Sequence, residues 1–600
     1  MYRKTGIGLF IGMIVLVGLI GAQGMVGAQQ EPDLSDYRAT MIRLIGVISD
    51  ARQGAVDPTL IQSIQATGDP LYIAPLVDAA YFARDQELNR AIFAALSQLI
   101  GEPVSNGWPG YFEWAGRNDV DLPPGYDEFK GLLLSIFVDP EFARFFQPGV
   151  IDTARINMAE VVWGGVRVDG IPSLVNARQI TPEEAAIEGE TFREFCREGD
   201  CAYPAPDELV FGVSIDGDNR AYPLRQLNWH EMFNDVIGYS PLYNTPDGEV
   251  LCNFRAPVAF TAVARQGDDW AQVIGESAGC VSEGDWLPVS ALQWSDNVKW
   301  NAVKTLLPDV AAGTSDPLPE HEGVTGQVMG KAVMLAYCTL CGSGILYDVT
   351  IPDLIYTAGG ETVELGQTVL EFGSSGLLMR SNKLMYDRTT DTIWNALTGE
   401  PAFGPLTTSD ILLPLLPVVV SDWGSWLAEH PDTSVLSLDT GYRRDYSNGG
   451  AYGDYFNDPD FIMFPVWQQD TSEQANKEIV FALNLDATPK AYPLRLLIPE
   501  VVTNDTLAGT DLVIVSRETP RREFFEPGGA TVRAYQRGDH VFSPGGSTGE
   551  IVDEAGEVWQ VTEAALKGPE GETLERLPGH LAFWFGWYGF YPETLVYSPE

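Results

Sequence analysis

"DGDNRAYPLRQLNWHEMFND" runs from Asp216 to Asp235, and "DATPKAYPLRLLIPEVVTND" runs from Asp486 to Asp505. Ala-Tyr-Pro-Leu-Arg is identical in the two, as are Leu227 with Leu497 and Asn234-Asp235 with Asn504-Asp505. Further along, "LPVVVSDWGSWLAEHPDTSVLS" from Leu416 aligns with "LPGHLAFWFGWYGFYPETLVYS" from Leu577. Leu-Pro, two tryptophans, the proline, the threonine and the last serine coincide. Both pairs keep their order, so residues 207–440 and 477–600 read as two copies of one module, the second shorter. Short β-rich runs punctuated by Gly, Asp and Asn make each copy strand-dominated. "ELVFGVSID" and "RAYPL" read as a hairpin and "RQLNWHEMFNDVI" as a short helix. "KAVMLAYC" is a buried strand, "GILYDV" a second one leaving a cysteine turn, and "SDWGSWLAEHP" a closing helix.

Working outward, residues 29–150 read as helical. "DPLYIAPLVDAAYFARDQELNRAIFAALSQLIG" (Asp69 to Gly101) has helical apolar spacing, with Asp-Pro and Gly as start and stop signals. Paired helices of this kind are HEAT-like. They carry no histidine or cysteine, so the expectation is a scaffold or a docking surface for a protein partner. Residues 151–206 read as a linker ending in a short loop between Cys196 and Cys201, and residues 441–476 as a second linker. The fold class expected is α+β: a helical N-terminal domain followed by two related β-rich modules with short helices.

The 600 residues carry a formal net charge of −46, which repels phosphates and excludes a nucleic-acid partner. Residues 1–28 join a short basic head to an apolar run and read as an export signal, or as an N-terminal membrane anchor if uncleaved. Either way the rest is expected outside the cytoplasm, where disulfides persist. The six cysteines are Cys196, Cys201, Cys252, Cys280, Cys338 and Cys341. Cys196 with Cys201, and Cys252 with Cys280, are expected to bridge.

The duplication serves as an internal control. What both copies share is architecture; what one copy alone has is a candidate for chemistry. His230 falls opposite Glu500, "AYCTLCG" opposite "VSRETPR", and His430 opposite Tyr591. In each of these pairs the first copy alone carries the soft ligand.

"AYPLRQLNWHEMFND", "AYCTLCGSG", "LEFGSSGLL", "SNKLMYDRTTDTIWNALTGE" and "HPDTSVLSLDTGYRRDY" occur in this order. Together they resemble the signature of an exported prokaryotic family, domain of unknown function 3179. The resemblance covers Glu208 to the C-terminus and implies no activity. Residues 239–329, with Cys252, Cys280 and His321, stand where family members often have only a short connection, and read as an insertion.

Three readings of Cys338-Thr-Leu-Cys341 stand side by side. Thiolates at i and i+3 resemble a metal knuckle. His230 would be its third donor, and Met385 or Asp387 would complete a site for copper or zinc. The same spacing suits thiol–disulfide exchange, although a strand-like "GSGILYDV" supplies no helix dipole. The third reading is a structural disulfide. Two functions follow: a copper- or zinc-binding protein with a redox or metal-handling role, or a non-catalytic extracytoplasmic interaction or scaffold protein whose cysteines are staples. No phosphate loop and no Gly-x-Ser-x-Gly elbow points to another chemistry.

Overall fold

The computed structural model describes residues 34–147, 151–196, 201–277, 279–295, 299–310, 323–358, 360–447, 449–467, 470, 474–519 and 529–599. Residues 1–28, expected to be an export signal or an anchor, and His321 lie outside the described residues. The chain divides into two compact units, residues 1–152 with 156–160, and residues 153–155 with 161–600.

The N-terminal unit is helical, from Tyr37–Arg52 to Tyr126–Phe137. The run expected between Asp69 and Gly101 breaks into Ile73–Phe82 and Gln86–Ile100. The cause is local: the Asp85 carboxylate accepts from the Glu87 and Leu88 amides at 2.8 and 3.0 Å and starts a new helix. At the centre, buried Lys130 reaches Asp78 at 2.7 Å, and Tyr126 donates to the same carboxylate.

The C-terminal unit repeats one topology. In the first copy, the hairpin Leu209–Ile215 and Asp218–Pro223 is flanked by Val419–Asp422, antiparallel, and by Ser434–Leu436, parallel. In the second, Ile479–Leu485 and Thr488–Pro493 are flanked by His580–Phe583, antiparallel, and by Leu595–Val596, parallel. Each hairpin runs into a seven-residue helix, Leu224–His230 or Leu494–Glu500, that starts straight after Tyr-Pro. Each helix ends on a residue of positive φ, Glu231 at 56° or Val501 at 63°, and the chain turns into a strand. The helix expected over "RQLNWHEMFNDVI" thus stops at His230, and Met232–Ile237 is a strand containing Asn234 and Asp235.

These strands pair next with Lys331–Cys338 and Thr510–Glu518, then with Ser343–Asp348 and Ala530–Gln536. The polar pins recur with the strands. Tyr222 donates to Asp235 at 2.6 Å and Tyr492 to Asp505 at 2.8 Å. Asn234 and Phe372 exchange two bonds through the Phe372 backbone, and Asn504 and Phe542 repeat the exchange. Trp426 donates to Thr433 at 2.8 Å and Trp587 to Thr594 at 2.9 Å. The residues identical between the copies therefore hold the scaffold. One apolar core joins the two, with Phe211, Leu335 and Tyr337 from the first and Phe481, Leu512 and Val532 from the second.

Seven strands between Tyr239 and Val328 form one sheet with its own core around Phe254, Phe260 and Leu287. Cys252 and Cys280 are bonded there, Cα atoms 5.8 Å apart. The two junctions lie side by side: Ile237 pairs with Lys331, and a Cβ on Gly238 would lie 3.6 Å from the Gly330 Cα. Deleting residues 239–329 and joining Gly238 to Gly330 is expected to leave the rest folded. The deletion cuts polar ties from Arg255 to Asp218 and Ser434, from Arg220 to the Ala256 carbonyl and from the Ala256 amide to the Gly238 carbonyl. Urea unfolding should stay cooperative, with a loss within about 2 kcal/mol. An unfolded deletion protein would show that the insertion is part of the core.

Candidate functional site at the cysteine turn

Lys331–Cys338 and Ser343–Asp348 pair continuously from Val333 with Asp348 to Cys338 with Ser343, so the Cys-Thr-Leu-Cys turn closes a formed hairpin. Cys338 and Cys341 are bonded to each other, Cα atoms 5.5 Å apart. Cys196 and Cys201 are also bonded, Cα atoms 4.5 Å apart, and none of the six cysteines is free. The two pairings expected from local sequence are both present.

The closing helix of the second copy covers the turn. Phe583 donates its amide to the Cys341 carbonyl at 2.8 Å. Gly586 packs so closely that a Cβ there would lie 2.6 Å from the Cys341 Cβ. Tyr455 donates to the Leu340 carbonyl at 2.6 Å and joins Phe456, Val466 and Phe585 around both sulfurs. The relation is reciprocal. The closing helix of the first copy, Trp423–Glu429, offers Glu429 to Arg517 at 3.0 Å, and Arg517 stands where the first copy has Cys338.

His230 does not join the cysteines. Its Nδ1 lies 2.8 Å from the Pro172 carbonyl and its Nε2 2.6 Å from the Tyr446 hydroxyl. A carbonyl only accepts, so Nδ1 carries the proton and the Nε2 lone pair is taken by the tyrosine. Burial pushes the imidazole down to about 4, so at neutral pH it is an uncharged strut between two segments. Asp387 is equally committed. It accepts from the Trp394 indole at 2.9 Å, the Thr390 hydroxyl at 2.8 Å, and the Thr389 and Thr390 amides at 3.1 and 2.6 Å. The second copy builds the same turn with Asp553 and Trp559, at 3.2 Å. Asp387 thus falls among the shared, architectural residues. Met385 is buried in the core with Met334, Ala336 and Trp394. The set Cys338, Cys341, His230, Met385 and Asp387 is therefore not gathered at one point.

Among the described residues, the His, Cys, Asp and Glu side chains that do converge are Glu429, His430 and Glu563, with ligand atoms within 4.8 Å of one another. Their charge is already met. Arg533 contacts Glu429 at 2.7 Å and Glu563 at 2.5 Å, and Arg576 contacts Glu563 at 3.1 Å. Burial raises the Glu563 carboxyl, but Arg533 and Arg576 outweigh it and hold the group well below the usual range. This is an ion-pair network between the copies.

Beside the cysteine turn lies a pair that sequence reasoning missed. The Tyr337 amide donates to the Glu231 carbonyl at 2.7 Å, which sets Glu231 next to the cysteine strand. The Glu231 carboxylate contacts the Lys383 ammonium, and both side chains are buried. Burial lowers Lys383, against the pull of Glu231. Lys383 shares a strand face with Met385, Met385 and Ala336 belong to one apolar core, and Ala336 shares its face with Cys338. Aligning the copies through Asp387 and Asp553 puts Gly549 at the Lys383 position; Val501 stands at that of Glu231. The pair is lost from the second copy together with the cysteines, and that coincidence is legible once the turns are aligned.

A family model described as protein of unknown function (DUF3179) matches residues 168–245 and 314–594, together more than half of the chain. The gap between the two matched segments, residues 246–313, falls within the insertion. No curated protein and no solved structure matches the chain.

Proposed function

The chain belongs to the DUF3179 family, and from its geometry we propose that it serves outside the cytoplasm as a non-catalytic interaction or scaffold protein whose cysteines are cross-links. The observation that carries this is the pairing of all six cysteines, with both nitrogens of His230 engaged by Pro172 and Tyr446. Disulfides on this scale suit an oxidising compartment. Among the described residues no helix is long and apolar enough to cross a membrane. Any membrane attachment would come from the N-terminal segment. The helical N-terminal unit, with HEAT-like pairing of its helices, supplies the surface for a protein partner.

The competing metal reading has a direct test. Protein exported from its host and purified without chelator is expected to hold well under one equivalent of copper or zinc by elemental analysis. His230→Asn should not change that content. Stoichiometric metal that His230→Asn removes would overturn the scaffold reading.

A further inference from the structure

Cys338–Cys341 does not earn its place as a staple. A cross-link stabilises mainly by restricting the open chain, and the effect grows with the loop it closes. Here the separation is three residues, and the flanking strands are already paired up to Cys338 and Ser343. The second copy forms the corresponding strand pair with Arg517 in place of Cys338. Nor does the module need Glu231 and Lys383, since the second copy has Val501 and Gly549. Burying two charges costs several kcal/mol per ion before their attraction offsets it. The first copy thus keeps a redundant disulfide and an expensive ion pair side by side, and the second lacks both.

We propose that Cys338–Cys341 is a reversible dithiol–disulfide couple that exchanges with small-molecule thiols, with Lys383 as the counter-charge of its reduced form. This goes beyond the scaffold reading and leaves it standing, because a cross-link can be reversible in a protein that catalyses nothing. A thiolate attacks the Cys338 sulfur, the less enclosed of the two, Cys338 being 5% exposed and Cys341 0%. The S–S bond breaks and Cys341 leaves as a thiolate, 3.3 Å from the Ser343 hydroxyl. A second small thiol displaces Cys338 from the mixed disulfide. Two thiols become one small-molecule disulfide and two electrons enter the protein; of the two thiol protons one ends on a cysteine and the other goes to solvent, which leaves one thiolate as the charge that Lys383 counters.

The test equilibrates the full chain in mixtures of reduced and oxidised glutathione. Free cysteines are alkylated, and each pair is read by peptide mass. Cys338–Cys341 is expected to open and reclose with the near-ultraviolet circular dichroism unchanged. Lys383→Met should raise the ratio of squared reduced to oxidised glutathione concentration needed for half-reduction by about tenfold, the effect of one pKa unit. Glu231→Gln, which frees Lys383 for the thiolate, should lower it by a similar factor, and Lys383→Arg should behave as wild type. Cys196–Cys201 and Cys252–Cys280 should not respond to these substitutions. Opening only with loss of the near-ultraviolet signal would overturn the proposal. So would variants that shift the ratio in the same direction or not at all. If Lys383→Met fails to fold, the wild-type reversibility and Glu231→Gln decide.

Discussion

Replacing Asp387 by alanine is expected to destabilise the C-terminal unit by about 4 kcal/mol. The magnitude follows from what the carboxylate holds. It accepts four hydrogen bonds, from the Trp394 indole, the Thr390 hydroxyl and two backbone amides. Asp387 and Trp394 are both fully buried, so water cannot take over the indole. Each orphaned buried donor costs about 1–3 kcal/mol. Asparagine has nearly the same shape but presents a donor NH2 to one set of donors, so Asp387→Asn should recover little. The shift in the urea midpoint should be the same with and without chelator. A loss below about 1 kcal/mol, or an effect that depends on added copper or zinc, would return Asp387 to the metal reading.

Arg533→Met is the second large effect expected, about 3 kcal/mol. Arg533 is 7% exposed and joins Glu429 of one copy to Glu563 of the other. Methionine keeps much of the volume but leaves both carboxylates short of a partner. Arg576 and Arg517 soften the loss, because they still reach Glu563 and Glu429. The same network sets a pH dependence. Glu563 is held below its ordinary value of 4.5 in the folded protein. Its contribution is therefore fully present above that pH and is lost as pH falls toward the lower folded value. In Arg533→Met the folded carboxyl titrates closer to the unfolded one. Part of the stability is then gone at neutral pH, and the acid decline below about pH 4.5 becomes shallower. Parallel pH profiles of the two proteins would place the main role of Arg533 elsewhere.

The duplication was legible in sequence because it rests on residues that hold backbone: Tyr222 and Tyr492 on their aspartates, Trp426 and Trp587 on their threonines. Lys331–Cys338 was legible as a strand for a similar reason, being a continuous apolar run stopped by a tight turn. "RQLNWHEMFNDVI" misled because its apolar spacing suits a helix throughout. The break falls at Glu231, a residue with no special tolerance of positive φ, so nothing local marks it. His230 invites a chemical reading because the second copy has Glu500 in its place. What fixes it as a strut is the Tyr446 hydroxyl, 216 residues further on, which no spacing rule reaches. Asp387 could have been placed correctly. "DRTTDTIW" and "DEAGEVW" both set an acid ahead of a tryptophan, but the Thr350–Ala358 and Glu361–Val369 ribbon has no counterpart in the second copy and hides the alignment. Glu231 and Lys383 meet only through the stacking of two sheets, which the chain order does not show.

The cross-linked scaffold stands or falls with the oxidation state of the six cysteines, and counting thiols measures it directly. Protein exported to an oxidising compartment, denatured without reductant and alkylated, should show no added mass from the alkylating agent. After reduction it should gain six adducts, one for each cysteine. Peptide mapping of the unreduced sample should return Cys196 with Cys201, Cys252 with Cys280, and Cys338 with Cys341. Two free thiols at Cys338 and Cys341 in the unreduced protein, accompanied by one equivalent of copper or zinc, would contradict it.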